Sequence, residues 1–129
     1  MTRHSVMVVE DHPVNQRLLG FLLESAGFTV HAAADAQDAL RQLQTIRPDL
    51  ILMDIQLPGV NGLDLARVIR ADTRMQHVPI IAVTAYAMKG DEEKARAAGC
   101  SGYIAKPIDV DSFIPRLMGF LGDARPAQE

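Results

Sequence analysis

Asp49-Leu50-Ile51-Leu52-Met53-Asp54 sets four apolar residues in a row and closes on a carboxylate. A run that short, apolar at odd and even positions alike, suits a strand buried on both faces, as in a parallel sheet. Gln56-Leu57-Pro58-Gly59 follows and reads as the loop leaving the strand. A carboxylate at the C-terminal end of a central parallel strand stands where open α/β sheets bind ligands. Taken alone, Asp54 is read equally well as an acid that merely ends a strand. Its companions decide.

Working outward, strand-like and helix-like patterns alternate five times. Val6-Met7-Val8-Val9 is a short apolar run, and Pro13 suits the first position of a helix. In that helix Val14, Leu18 and Leu22 recur at i, i+4, i+8, and Gly27 is placed as a C-terminal cap. Phe28-Thr29-Val30-His31-Ala32 alternates and predicts a more exposed second strand. Asp35 resembles an N-cap, with Ala36, Ala39, Leu40 and Leu43 on one helical face and Pro48 stopping the chain short of the Asp54 strand. A third helix is expected over about Gly62 to Ala71. Pro79 to Thr84 reads as a buried strand. Asp91 to Ala98 is helical by propensity with little apolar surface, and Gly99 caps it. Gly102-Tyr103-Ile104-Ala105 is the last strand, before Lys106-Pro107. Val110, Phe113, Ile114, Leu117 and Leu121 mark the last helix. If that helix starts at Asp109, Pro115 falls inside it and removes a hydrogen bond; if it starts near Ser112, Pro115 costs little. Gly119 weakens the helix by roughly 1 kcal/mol relative to Ala.

Five βα units argue for a doubly wound α/β sandwich, a five-stranded parallel sheet with helices on both faces. The 129 residues suit one domain, at 48% hydrophobic and 22% charged. A net charge of −3 gives no electrostatic case for binding nucleic acid or an anionic membrane. No apolar stretch has the length of a membrane span, and no signal peptide precedes the first strand, so a cytoplasmic setting is expected. The single Cys100 fits a reducing compartment and reads as a small buried hydrophobe. His4, His12, His31 and His77 lack metal-ligand spacing and read as surface residues.

In a parallel sheet the strand ends share one edge. Glu10-Asp11, Asp54, Thr84 and Lys106 all fall there. Crowded carboxylates repel unless a cation intervenes, and hard oxygen ligands without His or Cys suit Mg²⁺. A carboxylate can also attack phosphorus and become an aspartyl-phosphate. The transferred group then needs its oxygens neutralised, for which a metal, the Lys106 ammonium and the Thr84 hydroxyl are suitable.

At these positions the chain resembles the receiver domain of two-component response regulators. The resemblance spans about residues 5 to 121. It rests on Val8-Val9-Glu10-Asp11, on Asp49 to Asp54 with Leu57-Pro58-Gly59 and Gly62, on Val83-Thr84-Ala85, and on Tyr103-Ile104-Ala105-Lys106-Pro107. Within the family, Asp49 to Pro58 and Ala85 to Glu93 are similar to single-domain regulators of the DivK type, although receivers of hybrid histidine kinases share much of this wording. The resemblance implies a flavodoxin-like fold with strand order 2-1-3-4-5. It implies a receiver over residues 1–122 and a polar, frayed tail over 123–129. Asp54 would accept phosphate from a phosphohistidine. Glu10, Asp11, Asp54 and the backbone carbonyl of Gln56 would hold Mg²⁺. Lys106 and Thr84 would bind phosphoryl oxygens, and Tyr103 would turn inward as Thr84 moves. A cis Lys106-Pro107 bond would hold Lys106 over the site.

The implied partners are a sensor histidine kinase or histidine phosphotransfer protein and a downstream protein, with no direct DNA or membrane binding. A dimer through the fourth helix, fifth strand and fifth helix is a family habit that the irregular last helix puts in question. The activity would be self-catalysed phosphotransfer rather than conventional enzymatic turnover. Gln56 and Tyr86 lie two residues beyond Asp54 and Thr84, where side chains screen the attacking water, and their bulk predicts slow autodephosphorylation. Other readings are weaker. Haloacid-dehalogenase-type phosphatases need a second acid two residues after the nucleophile, where this chain has Gln56. A flavin module would want a Ser/Thr-rich loop where Glu10-Asp11-His12-Pro13 stands. A degenerate, non-phosphorylated receiver is at odds with the complete acceptor set.

Overall fold

The structure is a computed structural model that describes residues 4–57, 59–85 and 90–124. Strands β1 (Ser5–Val9), β2 (Thr29–Ala33), β3 (Leu50–Asp54), β6 (Ile80–Thr84) and β7 (Gly102–Ala105) form one sheet. All its pairings are parallel, in the order β2-β1-β3-β6-β7. Two further short strands, β4 (Gln56–Leu57) and β5 (Val60–Asn61), form a separate antiparallel hairpin after β3. With the hairpin set aside, the order is the expected 2-1-3-4-5. Helices α1 (Pro13–Ser25), α2 (Ala36–Leu43), α3 (Gly62–Ala71) and α4 (Asp91–Ala97) connect the strands, and α5 (Val110–Ala124) follows the last of them.

The pleat explains why the central runs are apolar at both parities. Met7, Val9, Ile51, Met53, Ile80 and Ala82 pack with Ala39 and Leu43 of α2, Leu65 and Ile69 of α3, and Ala95 of α4. The alternate residues Val6, Val8, Leu50, Leu52, Ile81, Val83 and Ile104 pack with Leu19 and Leu23 of α1 and Phe113, Leu117 and Leu121 of α5. Each strand residue faces one of two cores, so neither parity can be polar until the strand ends.

Local chemistry sets the boundaries. Pro13 opens α1, and Gly27 follows its cap with a φ of 96° that favours glycine. The Asp35 carboxylate accepts from the Asp38 amide and caps α2. The Asn61 side chain does the same for α3 through the Leu63 amide.

Several expectations need correction. Of the α1 face set by Val14, Leu18 and Leu22, only Leu22 packs against the core: Val14 is 65% and Leu18 44% exposed, while Leu19 and Leu23 are buried. Apolar residues wrap most of this helix, so two i, i+4 series compete and spacing alone does not choose. Strand β2 begins at Thr29; Phe28 is buried just before it. Helix α5 starts at Val110, which puts Pro115 inside it. Pro115 lies on the exposed side, where the carbonyl it leaves without an intrahelical donor can meet water. His4 is half-buried beside Phe28, with Nδ1 3.8 Å from a carboxylate oxygen of Asp49. The α5 helix runs through Ala124; most of the expected tail, with Pro58 and Tyr86, lies outside the described residues.

Candidate functional site

Helix-forming residues resume only after each strand has delivered its last residue to one edge of the sheet. Glu10 follows β1, Asp54 closes β3, Thr84 closes β6 and Lys106 follows β7. The parallel registers Val9↔Met53, Asp54↔Val83 and Thr84↔Ala105 bring these ends level. Glu10, Asp54 and Thr84 are the only buried polar residues among those described, at 2%, 7% and 2% exposure. Asp11 is exposed at the rim.

The charges are wired together. Lys106 Nζ donates to Glu10 Oε1 at 3.0 Å and to Asp54 Oδ2 at 3.2 Å. The other carboxylate oxygens take backbone donors: His12 N–H to Glu10 Oε2 at 3.1 Å, and Gln56 N–H to Asp54 Oδ1 at 2.9 Å. Burial pulls the Lys106 ammonium down, but its bonds to Glu10 and Asp54 and their negative charges outweigh this and raise its pKa. The backbone joins the same net: Lys106 N–H donates to Thr84 O at 2.7 Å. The Lys106-Pro107 bond is cis, as expected.

Glu10, Asp11 and Asp54 each offer a carboxylate oxygen within 4.8 Å of the others. Three carboxylates against the one ammonium of Lys106 leave a local charge of −2. A divalent cation would balance that deficit. The donors are oxygens only, two of the acids are buried and one is open to solvent, which suits an ion that keeps several waters. The residues present therefore fit Mg²⁺. Gln56 is exposed beside Asp54, with its amide already committed to the Asp54 carboxylate.

Thr84 has the parity of Ile80 and Ala82, which pack on the α2, α3 and α4 side. Tyr103 is half-buried against that same cluster and is the register partner of Ala82. Burial, with the negative charges of Asp91 and Glu92 on α4, raises the Tyr103 phenol pKa. Asp54 and Glu10 instead share the parity of Leu50, Leu52, Val6 and Val8, on the α1 and α5 side. The acid cluster and Thr84 thus share one edge of the sheet, with Tyr103 packed on its α4 side.

Sequence reasoning missed one support, and named a second without its contact. Gln16 of α1 donates from Nε2 to the Glu10 carbonyl at 3.0 Å, and nothing in its spacing signals that contact. Gly62 begins α3 against the backbone of Asp54 and Ile55, and only its place after the loop hinted at a role. Next to Lys106, a mainly apolar cleft of about 490 Å³ lies between α1 and the β7–α5 loop. Leu18, Leu19, Ala85, Pro107 and Ile108 line it.

Comparison with known proteins gives a consistent picture. The family pattern described as the response regulator receiver domain matches residues 6–117. The chain is 48% identical over 120 residues to the polar-differentiation response regulator DivK of Brucella anthropi, covering 93% of this chain and 98% of that protein. The DivK of Brucella ovis matches to the same extent. Among solved structures, the receiver domain of a Pseudomonas aeruginosa sensor histidine kinase, with a magnesium ion in its active-site cleft, is similar. It superposes with a TM-score of 0.85 at 39% identity, over 94% of this chain and 99% of that one. The chemotaxis response regulator CheY4 of Vibrio cholerae gives 0.87 at 25% identity, over 92% and 99%.

Proposed function

The chain belongs to the response regulator receiver family, and from that premise we propose that it is a Mg²⁺-dependent phosphoacceptor of a histidine–aspartate relay, with Asp54 as the acceptor. The observation that carries this reading is the bridge of Lys106 to both Glu10 and Asp54 within a three-acid cluster. A buried carboxylate with an ammonium on one oxygen and a backbone N–H on the other is held in place to react.

In the transfer, an Asp54 carboxylate oxygen forms a bond to phosphorus as the phosphorus–nitrogen bond of a phosphohistidine breaks. The imidazole leaves with the electron pair and takes up a proton. Mg²⁺, when held by Glu10, Asp11, Asp54 and the Gln56 carbonyl, supplies charge neutralisation for the transferred oxygens. Lys106 remains beside the acceptor and meets another of those oxygens. Thr84, at the end of the neighbouring strand, offers its hydroxyl to a third. Tyr103, on the Thr84 face beside α4, then follows, and the surface of α4 and β7 changes state. The exposed Gln56 side chain beside Asp54 supports slow loss of the phosphate to water.

The donor arrives across the rim nearest Asp54. There α1 presents Val14, Leu18 and Phe21, at 65%, 44% and 67% exposure, beside the apolar cleft that ends at Lys106. An apolar stripe continuous with the acceptor site suits a helical partner that carries the phosphohistidine. A downstream protein would read the α4–β7 side.

The test is incubation with Mg²⁺ and acetyl phosphate followed by intact mass measurement. One added phosphoryl group, absent in Asp54→Asn and absent without Mg²⁺, is expected. Equal labelling of Asp54→Asn refutes the assignment. The DivK-named relatives, matched nearly end to end, support a stand-alone regulator. The similar histidine-kinase receiver supports a second reading, a receiver that works within a hybrid kinase. An immunoblot of host extract separates the two by the size of the polypeptide.

A further inference from the structure

Between the acceptor and α3 the chain makes a tight return. Ile55 N–H donates to Val83 O at 3.2 Å, so the residue after Asp54 is still tied to β6. The chain then runs through the hairpin pairs Gln56↔Asn61 and Leu57↔Val60. At its end Gly62 N–H donates back to Ile55 O at 2.7 Å. Gly62 is buried. A side chain there would place its first carbon 2.6 Å from Ile55 Cα, 2.7 Å from Asp54 O and 2.8 Å from Ile55 O. All three are backbone atoms, so no flexible side chain could swing aside to relieve the overlap. Gly59, in the same loop, has a φ of 72° but open space around it. The two glycines therefore serve different ends: Gly59 turns the hairpin, and Gly62 lets the backbone approach.

We propose that Gly62 is a positioning residue for the metal and acceptor site, its hydrogen-only surface letting the start of α3 brace the Asp54–Ile55 backbone. The inference rests on the phosphoacceptor reading above. The braced segment carries both the Asp54 carboxylate and Gln56, whose amide orients Asp54 Oδ1 and whose carbonyl faces the task of metal binding. Any Cβ at position 62 moves that segment while leaving every acidic side chain in the sequence. The loss then appears first in metal affinity, as it does when groups that orient ligands are removed.

The experiment compares wild type, Gly62→Ala and the remote core variant Leu23→Val by Mg²⁺ titration calorimetry, with circular dichroism and thermal unfolding on each. Mg²⁺ binding about 10–100-fold weaker in Gly62→Ala, and unchanged in Leu23→Val at a comparable loss of melting temperature, is expected. A folded Gly62→Ala that binds Mg²⁺ within about twofold of wild type overturns the inference alone. Wild-type protein that binds no Mg²⁺ takes down the phosphoacceptor reading and this inference together. A wild-type measurement stands should Gly62→Ala not fold: in backbone NMR, Mg²⁺ should shift the Ile55, Gln56 and Gly62 amides together and leave Gly59 behind. An unmoved Gly62 amide counts against the brace.

Discussion

Lys106 Nζ lies 3.2 Å from Asp54 Oδ2 across 52 positions of sequence, and the same ammonium lies 3.0 Å from Glu10 Oε1. One cation therefore holds two buried acids from two other strands. Lys106→Met should nearly abolish labelling by acetyl phosphate and also destabilise the fold, because it leaves Glu10 and Asp54 facing each other unpaired. The cost should be about 1–3 kcal/mol, below that of a fully buried pair because the site opens to solvent. Urea unfolding in metal-free buffer measures it; a variant as stable as wild type contradicts the bridge's structural role.

On the proposed function, the −2 balance of the cluster would make Mg²⁺ a stabilising ligand. At about 100 times its dissociation constant it should add about 2.7 kcal/mol to wild-type stability. Glu10→Gln and Asp11→Asn should each lose most of this gain. Thermal unfolding with and without chelator decides it, and an equal gain in the variants places the ion elsewhere.

Tyr103 packs on the α4 side, and Thr84 closes the strand next to that of Asp54. Thr84→Val, which keeps the volume, and Tyr103→Ala should still take phosphate onto Asp54. Both should lose the phosphorylation-dependent change in amide exchange at α4. If Tyr103→Ala keeps that change in full, Tyr103 is packing and no more.

Cys100 is buried, and burial pushes its thiol from 9.0 to about 11, opposed by the nearby Arg70 charge. The Lys106 ammonium and the Tyr103 phenol are raised too. In each case the folded chain binds the proton more tightly than the unfolded chain. The stability this represents is whole below the ordinary pKa values and fades as pH rises through the folded ones. The urea midpoint should therefore fall between pH 9 and pH 11, the range spanned by the Cys100 shift, and Cys100→Ala should flatten part of the fall. A midpoint constant over that range argues against it. At pH 8 the native thiol should react with iodoacetamide far more slowly than the unfolded one.

Leu18→Ser and Phe21→Ser change exposed positions of α1 and should shift stability by less than about 0.5 kcal/mol. Labelling by acetyl phosphate should be unaffected. Transfer from a phosphorylated histidine protein should slow markedly, which a phosphotransfer time course with radiolabelled donor reads directly. Undiminished transfer removes the α1 stripe from the donor's path.

The central strands were legible because burial on both faces forces apolar residues at both parities, a constraint that Leu50 to Met53 and Ile80 to Val83 satisfy. Their polar ends were legible for the same reason: Glu10, Asp54 and Thr84 are where the constraint lapses. Helix α1 was misread because its apolar residues outnumber the positions one face can bury, so Leu19 and Leu23 won over Val14 and Leu18 through contacts with β1 and α5. The Arg70 bond to Gly99 O at 2.8 Å joins distant segments, and the nearer bonds of Gln16 to the Glu10 carbonyl and of Arg70 to Met75 O at 2.7 Å depend on how the chain turns between them, so local pattern carries no trace of them. The short hairpin after Asp54 escaped because two-residue strands have no periodicity to read.

The sheet separates inscription from interpretation. Lys106 of the acid cluster borders the cleft beside α1, while Tyr103 packs toward α4. A donor seated on the first side leaves the second uncovered. On the proposed function, two proteins would then hold the molecule at once, and a listener would not wait for the donor to depart. Charging and readout would then form a relay on a three-member assembly rather than an exchange of partners in turn.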